Sequence, residues 1–96
     1  MELLFEYVNI PKNNYFEYLV EEKLNPLAKK FPFVLVANVF FKVENSRNDL
    51  DNICKIKLET SKSSLFAFAN EESIEEAIQK TSKALELQLK DRNENN

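Results

Sequence analysis

The sequence contains no glycine, no histidine and no tryptophan among its 96 residues. Without glycine it lacks the loops that bring backbone amides close to a phosphate group, which argues against the common nucleotide-binding motifs. Without histidine it lacks the usual general base and the commonest protein ligand of metal ions. We therefore expect a protein that is not an enzyme and that uses no cofactor, metal ion or small-molecule substrate.

Cysteine is nearly as scarce, because Cys54 stands alone and cannot form a disulfide within the chain, which fits a reducing compartment. Cys54 alternates with Ile56 and Leu58, and this pattern predicts a small buried side chain rather than a nucleophile. The longest apolar stretch, residues 31–41, falls well short of the ~20 residues of a membrane helix. No secretion signal is visible at the start of the chain. The expected location is the cytoplasm, with no membrane partner.

Four segments with alternating or continuous apolar residues predict short strands, at residues 3–8, 34–44, 53–59 and 65–69. The polar segments 45–52 and 60–64 predict loops. Both are too short for a crossover connection, so the last three strands should form an antiparallel meander.

The first predicted helix follows Asn13 and Asn14 and carries apolar residues at steps of three and four up to Phe31. Pro26 lies inside this pattern and either starts a second helix or kinks a single one. The apolar period passes through Pro26 without a phase shift, which favours one kinked helix.

The second predicted helix begins at Ser73, which stands three residues before Glu76 in the spacing of a capping box. Its apolar face ends near Lys90. We expect one domain over residues 1–91, followed by a short polar tail at residues 92–96.

These elements give the order β-α-β-β-β-α and predict an α+β fold. The expected sheet has four strands in the spatial order 1-2-3-4. Its first strand should be parallel to the second because a helix connects them, and both helices should pack on one face.

Three stretches, in this order and spacing, resemble the short ribosome hibernation factors, also called the sigma-54 modulation family. They are LLFEYVNI at residues 3–10, ANVFFKVEN at 37–45 and SIEEAIQKTSKALELQLK at 73–90. The resemblance covers nearly the whole chain.

The resemblance implies a translation inhibitor that binds the small ribosomal subunit, in the channel for messenger and transfer RNA, and holds the ribosome idle. Basic residues on the two helices would contact ribosomal RNA. Carried over to this sequence, they are Lys23, Lys29, Lys30, Lys80, Lys83, Lys90 and Arg92.

The lysines of the second helix recur at steps of three and seven, so we expect them on one outward face together with Leu87. The family pattern has arginine where Leu87 stands, lysine where Pro26 stands, and a basic tail. The net charge is −3. An alternative interpretation is therefore a protein-interaction module of the same fold, with weakened RNA binding and a partner on the sheet.

Alternation also predicts apolar side chains on the sheet face that carries no helices, where polar residues are the rule. They are Leu4, Phe40, Ile53, Phe66 and Phe68. One explanation is loose packing under loops or an inverted register in the fourth strand. The other is a partner surface, most simply for a homodimer.

Overall fold

The computed structural model describes residues 1–46 and 49–94, and it has the predicted order of elements. Their bounds are β1 Glu2–Val8, α1 Asn14–Lys30, β2 Val34–Ser46, β3 Asp49–Thr60, β4 Ser64–Glu71 and α2 Ile74–Glu94.

The strands form one sheet in the order β1-β2-β3-β4, with β1 parallel to β2 and the other neighbours antiparallel, as predicted. One face of this sheet is buried together with the apolar sides of both helices in a single core. Val20 and Leu24 of α1 and Leu85 of α2 are fully buried there. The predicted placement of both helices on one face is confirmed.

Phe41 of β2 is the centre of the aromatic part of this core and is completely buried. Its ring stacks on Phe5 of β1 at 6.2 Å between centroids and lies 5.2 Å from Tyr7 of β1. Phe16 of α1 approaches it at 5.8 Å. These contacts join β1, β2 and α1 at one point, within the range where aromatic pairs attract beyond their buried area.

Tyr7 also connects β1 to the start of α1 through its hydroxyl group. That group donates to Glu17 Oε2 at 2.6 Å and to the Asn13 carbonyl at 3.2 Å. Burial, and next the bond to Glu17, raise the pKa of Tyr7 to about 12, so the phenol stays protonated at neutral pH.

The predicted loop at residues 45–52 was wrong, because β2 continues to Ser46 and β3 begins at Asp49 in unbroken pairing. Apart from Leu50, the residues of this segment are polar, so the apolar alternation that marks a strand in the sequence stops at Val43. The backbone ladder needs no apolar side chains and continues without them. Residues 47–48, in the middle of that predicted loop, lie outside the described residues.

Helix α1 begins and ends as the sequence predicts. The side chain of Asn13 accepts hydrogen bonds from the amides of Tyr15 and Phe16, at 2.9 and 3.3 Å. A single helix runs through Pro26 to Lys30, which confirms one helix rather than two. It stops at Phe31 because Pro32 disfavours the helical conformation at the residue before it.

Helix α2 begins with the predicted cap, in which Ser73 Oγ accepts from the Glu76 amide at 3.1 Å. It ends later than predicted, at Glu94 rather than near Lys90. No glycine or proline follows Lys90 to stop it, so residues 92–94 of the predicted tail are helical. Residues 95–96 lie outside the described part.

Asn9, after β1, is a non-glycine residue with a positive φ, of 60°. A glycine would usually occupy such a position, and asparagine is among the residues that tolerate it best.

No helix within residues 1–46 and 49–94 is long and apolar enough to cross a membrane.

Two neighbouring hydroxyl groups of α2 are buried in different ways. Thr81 is completely buried, and its Oγ1 donates to the Cys54 carbonyl of β3 at 3.2 Å. Ser82 is 5% exposed, and its Oγ has no hydrogen-bond partner among the described residues. Thr81 therefore connects α2 to the sheet, whereas the Ser82 hydroxyl is bonded to no other described residue.

We predict opposite effects of removing these two hydroxyl groups. Thr81→Val should lower the free energy of unfolding by about 1–2 kcal/mol, because the Cys54 carbonyl loses a partner. Ser82→Ala should leave it unchanged or raise it by up to about 1 kcal/mol, since an unpaired hydroxyl is removed and alanine favours helix. Urea denaturation with an unchanged m-value measures both. Equal destabilisation by the two variants would contradict this assignment.

Candidate nucleic-acid interface

A groove of about 820 Å³ runs between α1 and α2 on the side of the molecule away from the sheet. Pro26 and Leu27 of α1 line one wall, and Ser82 of α2 lines the other. Lysine side chains from both helices stand along it. They are Lys23, Lys80 and Lys83, and the carboxylates Glu22, Glu76 and Glu86 line the groove beside them. The groove thus brings one lysine of α1 and two of α2 together with an equal number of glutamates.

The predicted basic face of α2 is present, and its lysines keep much of their side chains in contact with solvent. The exposed fractions are 66% for Lys80, 65% for Lys83 and 44% for Lys90. Leu87 lies among them on the same face and is 56% exposed. We call Lys80, Lys83, Leu87 and Lys90 the α2 face. An exposed leucine in a row of lysines interrupts the positive charge without burying apolar surface.

Each lysine of the α2 face has a carboxylate beside it. Lys80 Nζ lies 3.1 Å from Glu71 Oε1 at the end of β4. Glu86 serves two lysines, at 3.2 Å from Lys83 and 3.9 Å from Lys90. Solvent-exposed pairs of this kind contribute only about 0–1 kcal/mol, so a phosphate group can replace the carboxylate at little cost.

Glu86 is held in its charged form by these neighbours. The hydrogen bond from Lys83, and then the positive charges of Lys83 and Lys90, lower the pKa of its carboxyl group. Lys30 of α1 adds a weaker attraction across the helix pair. Glu86 is therefore ionised at neutral pH and reduces the positive potential of the α2 face.

The basic residues of α1 and the end of α2 divide into two groups. Lys23, Lys29 and Lys30 are all exposed, and Lys23 lines the groove. Lys30 Nζ lies 5.7 Å from the ring centroid of Phe31. Arg92, by contrast, donates a hydrogen bond to Ser63 Oγ in the turn between β3 and β4. The structure does not bring Arg92 to the groove.

Cys54 has the buried position that its alternation with Ile56 and Leu58 predicts. Burial raises the pKa of its thiol to about 12, although a hydrogen bond with Thr81 opposes this shift. The thiol is thus protonated at neutral pH, and only a thiolate is a strong nucleophile.

Within residues 1–46 and 49–94 no group of three or more His, Cys, Asp or Glu residues is arranged to hold a metal ion.

The apolar residues predicted on the open sheet face do point away from the core. Leu4, Phe66 and Phe68 are 47%, 52% and 62% exposed, whereas Phe40 and Ile53 are partly buried. The inverted register considered for the fourth strand is wrong, because Leu65 and Ala67 are the buried residues of β4 and their neighbours are not.

The contacts of three residues at this interface, Glu86, Glu71 and Ser82, were not predicted from the sequence. Glu86 stands three residues after Lys83 and four before Lys90. This spacing brings side chains together on a helix, so it was sufficient to predict the contact. Glu71 meets Lys80 only because β4 packs beside α2. Ser82 is buried only because α1 lies beside α2, so neither contact has a signal in the local sequence.

Solved structures share this fold over nearly the full length of the chain. A ribosomal subunit interface protein from Coxiella burnetii superimposes with a TM-score of 0.85, at 16% identity over 97% of this chain and 98% of that one. The N-terminal domain of Thermus thermophilus Protein Y gives a TM-score of 0.80, at 19% identity over 94% and 97% of the two chains. At these identities the likeness establishes the fold.

The family follows from the sequence itself. Residues 4–96 match the model of the family described as Sigma 54 modulation protein / S30EA ribosomal protein. The chain belongs to this family, which confirms the resemblance found in residues 3–10, 37–45 and 73–90. No curated protein matches the sequence.

We predict that Glu86→Gln strengthens the binding of an RNA oligonucleotide. The substitution removes a carboxylate that contacts Lys83 and Lys90, and so frees both lysines for phosphate groups. The slope of log affinity against log salt should steepen by about 0.7–0.9 for each lysine that gains a phosphate. Titration at several salt concentrations measures this slope.

Glu75→Gln is the matched control, because Glu75 is an exposed carboxylate in the first turn of the same helix. It changes the net charge equally but at a distance from Lys83 and Lys90. If both variants raise the affinity by the same amount, net charge alone is responsible, and Glu86 has no special role in masking the α2 face.

Proposed function

We propose that this protein is a translation inhibitor that binds the small ribosomal subunit and occupies the channel of messenger and transfer RNA. It would act in the cytoplasm by steric exclusion, with no chemical step. Family membership supports this function, and so does the likeness in fold to a structure described as a ribosomal subunit interface protein.

The observation that carries the proposal is the groove between the helices, where lysines of both helices stand among an equal number of glutamates. Lys23, Lys80 and Lys83 are exposed along it on two rigid, adjacent helices. Folded RNA is recognised largely through its shape and its phosphate groups, and lysines at fixed separations suit such contacts. Lys29, Lys30 and Lys90 extend the positive region beyond the groove, whereas Arg92 would have to release Ser63 before it contacts RNA.

The charge balance sets the conditions under which this binding should be seen. The chain has 13 basic and 16 acidic residues, and carboxylates accompany the lysines of the α2 face. Binding to RNA must therefore exchange internal ion pairs for phosphate contacts. We expect an association that is strong at low salt and falls steeply as salt is added.

The second candidate is a protein-interaction module of the same fold in which RNA binding is weakened. The exposed Leu87 between Lys83 and Lys90, and the pairing of both lysines with Glu86, favour this function. Sedimentation of the purified protein with small ribosomal subunits at low and moderate salt separates the two. Absence of co-sedimentation at low salt would favour the interaction module.

We predict that substitution of Lys80, Lys83 and Lys90 with glutamine weakens binding to the small subunit, because it removes the positive charge of the α2 face. Six phosphate contacts from the two helices would give a salt slope of about 4–5, and the loss of three should roughly halve it. Co-sedimentation with small subunits over a salt series measures both the affinity and the slope.

The control removes three lysines from the sheet face that carries no helices, at Lys42, Lys55 and Lys57. This control has the same net charge as the variant of the α2 face, so a difference between their salt slopes depends only on the position of the lysines. An unaltered slope in the Lys80, Lys83 and Lys90 variant would show that its lysines are only a solvated helix face.

We also predict that Leu87→Arg strengthens binding to the small subunit. Leu87 is exposed on the α2 face, and arginine has good helix propensity, so the fold should be unaffected. One added phosphate contact should steepen the salt slope by about 0.7–0.9. Leu87→Gln keeps the new side chain neutral and should give no gain. Equal effects of arginine and glutamine would exclude a charge contact at this position.

A further inference from the structure

Exposed aromatic rings and lysines lie side by side on the sheet face that carries no helices. Phe66 and Phe68 of β4 are 52% and 62% exposed, and their ring centroids are 6.1 Å apart. Lys55 and Lys57 of the neighbouring strand β3 are exposed as well. Neither lysine forms an ion pair within residues 1–46 and 49–94. Two cations without a carboxylate partner therefore stand beside two apolar rings that solvent reaches.

The pairing register shows how the rings and lysines are arranged. Lys55 pairs with Phe40 of β2 on one side and with Phe68 of β4 on the other, and Lys57 pairs with Phe66. Lys55 Nζ lies 5.4 Å from the ring centroid of Phe40, in the range of cation–π attraction. The lysines thus form a row along β3, about 7 Å apart, with rings about 4.8 Å to the side. We call these five residues the aromatic patch.

The carboxylates of β2 and β3 on this face lie outside the two rows of the aromatic patch and have partners within the chain. Glu44 forms an ion pair with Lys42 at 3.5 Å, and Glu59 accepts a hydrogen bond from Asn38 Nδ2 at 2.8 Å. Asp51 accepts one from an amide side chain of β4 at 3.0 Å. The face as a whole is mixed in charge, whereas the two rows are purely basic on β2, β3 and β4.

The surroundings of the aromatic patch direct an anionic ligand toward β3 and β4. Glu6 of β1 pairs with Phe40 and lies two strand spacings, about 9.6 Å, from the row of Lys55. That separation is comparable with the screening length of about 10 Å at 0.1 M salt. At the end of β3 and β4, the connecting turn adds the exposed Lys62 and is bonded by Arg92. Positive charge therefore continues from the lysine row into this turn.

We propose that the aromatic patch binds a single strand of RNA, with phosphate groups along the lysine row and bases on the rings. Proteins that bind single strands combine aromatic side chains, on which bases stack, with cations that follow the backbone. The interaction goes beyond the ribosome-binding function and uses none of the lysines of the α2 face. The choice of RNA over DNA rests on the proposed function, which places the chain on the ribosome.

Two kinds of protein occupant fit the aromatic patch less well. An acidic protein segment would find no backbone partners there, because the backbone groups of β2 and β3 are already paired within the sheet. A second copy of the chain, packed face to face, would bring Lys55 and Lys57 close to the same lysines. Facing like charges oppose association, so the lysine row favours a polyanion over a homodimer.

Fluorescence anisotropy of a labelled oligouridine of about ten nucleotides, at low salt, tests the proposal. The full chain carries Lys80→Gln, Lys83→Gln and Lys90→Gln in every sample, which removes the positive charge of the α2 face. We expect binding with a Kd of roughly 1–100 μM, as for nucleic-acid binding without sequence preference.

Phe66→Ser and Phe68→Ser should each weaken this binding by about tenfold, because a stacking surface for a base is lost. Lys55→Gln together with Lys57→Gln should lower the salt slope by about 1.4, at about 0.7 for each phosphate contact of a single strand. Tyr15→Ser is the matched control and should change neither quantity, because Tyr15 is an aromatic residue of α1 that is 54% exposed. Circular dichroism checks the fold of each variant.

The proposal is overturned if the oligouridine does not bind at the lowest salt, or if Tyr15→Ser and Phe68→Ser weaken binding equally. A duplex RNA of the same length hides the faces of its bases, so its affinity should not depend on Phe68. Equal dependence of duplex and single strand on Phe68 would exclude base stacking. A glutamate-rich peptide that binds where the oligouridine does not, or self-association that Phe68→Ser abolishes in a chain that binds no RNA, would assign the patch to a protein. Small subunits are absent from these assays, so this proposal and the ribosome-binding function fail separately.

Discussion

The packing of two helices against one face of a four-stranded sheet is the constraint from which the rest of the molecule follows. Phe41 lies at its centre, between β1, β2 and α1. Each helix has one side buried in this core, so its charged residues are restricted to the outer side. Since both helices lie on the same face, the other face of the sheet is left to solvent. The groove between the helices and the exposed Phe66 and Phe68 on the other face of the sheet are thus consequences of the same layer arrangement.

The proposed binding of RNA by an acidic protein depends on the electrostatics of the α2 face. Its lysines are not free cations, because Glu71 and Glu86 already accompany them. Exposed pairs of this kind are weak, and their breakage costs little compared with the release of counterions from RNA. The affinity of the proposed interface should therefore depend on local geometry and on salt more than on the total charge of the chain.

The elements that could be predicted from the sequence are those in which side-chain burial has a regular period. Residues 37–43 alternate, and helix α1 has apolar residues at steps of three and four. The outer part of the β2–β3 hairpin has no such period, because Leu50 is the single apolar residue of the sequence 44–52. Its strands are stabilised by backbone pairing, which leaves no pattern in the side chains. Glu71 and Ser82 depend on contacts between elements, and local spacing does not encode those.

The two surfaces of this protein lie on opposite sides of its core, which has a physical consequence for their energetics. Lys83 and Lys55 are separated by the helix layer and by the sheet, and they share no contact partner among the described residues. Sites separated in this way usually contribute additively to free energies. Substitutions on the helices should therefore change a binding free energy independently of substitutions on the sheet.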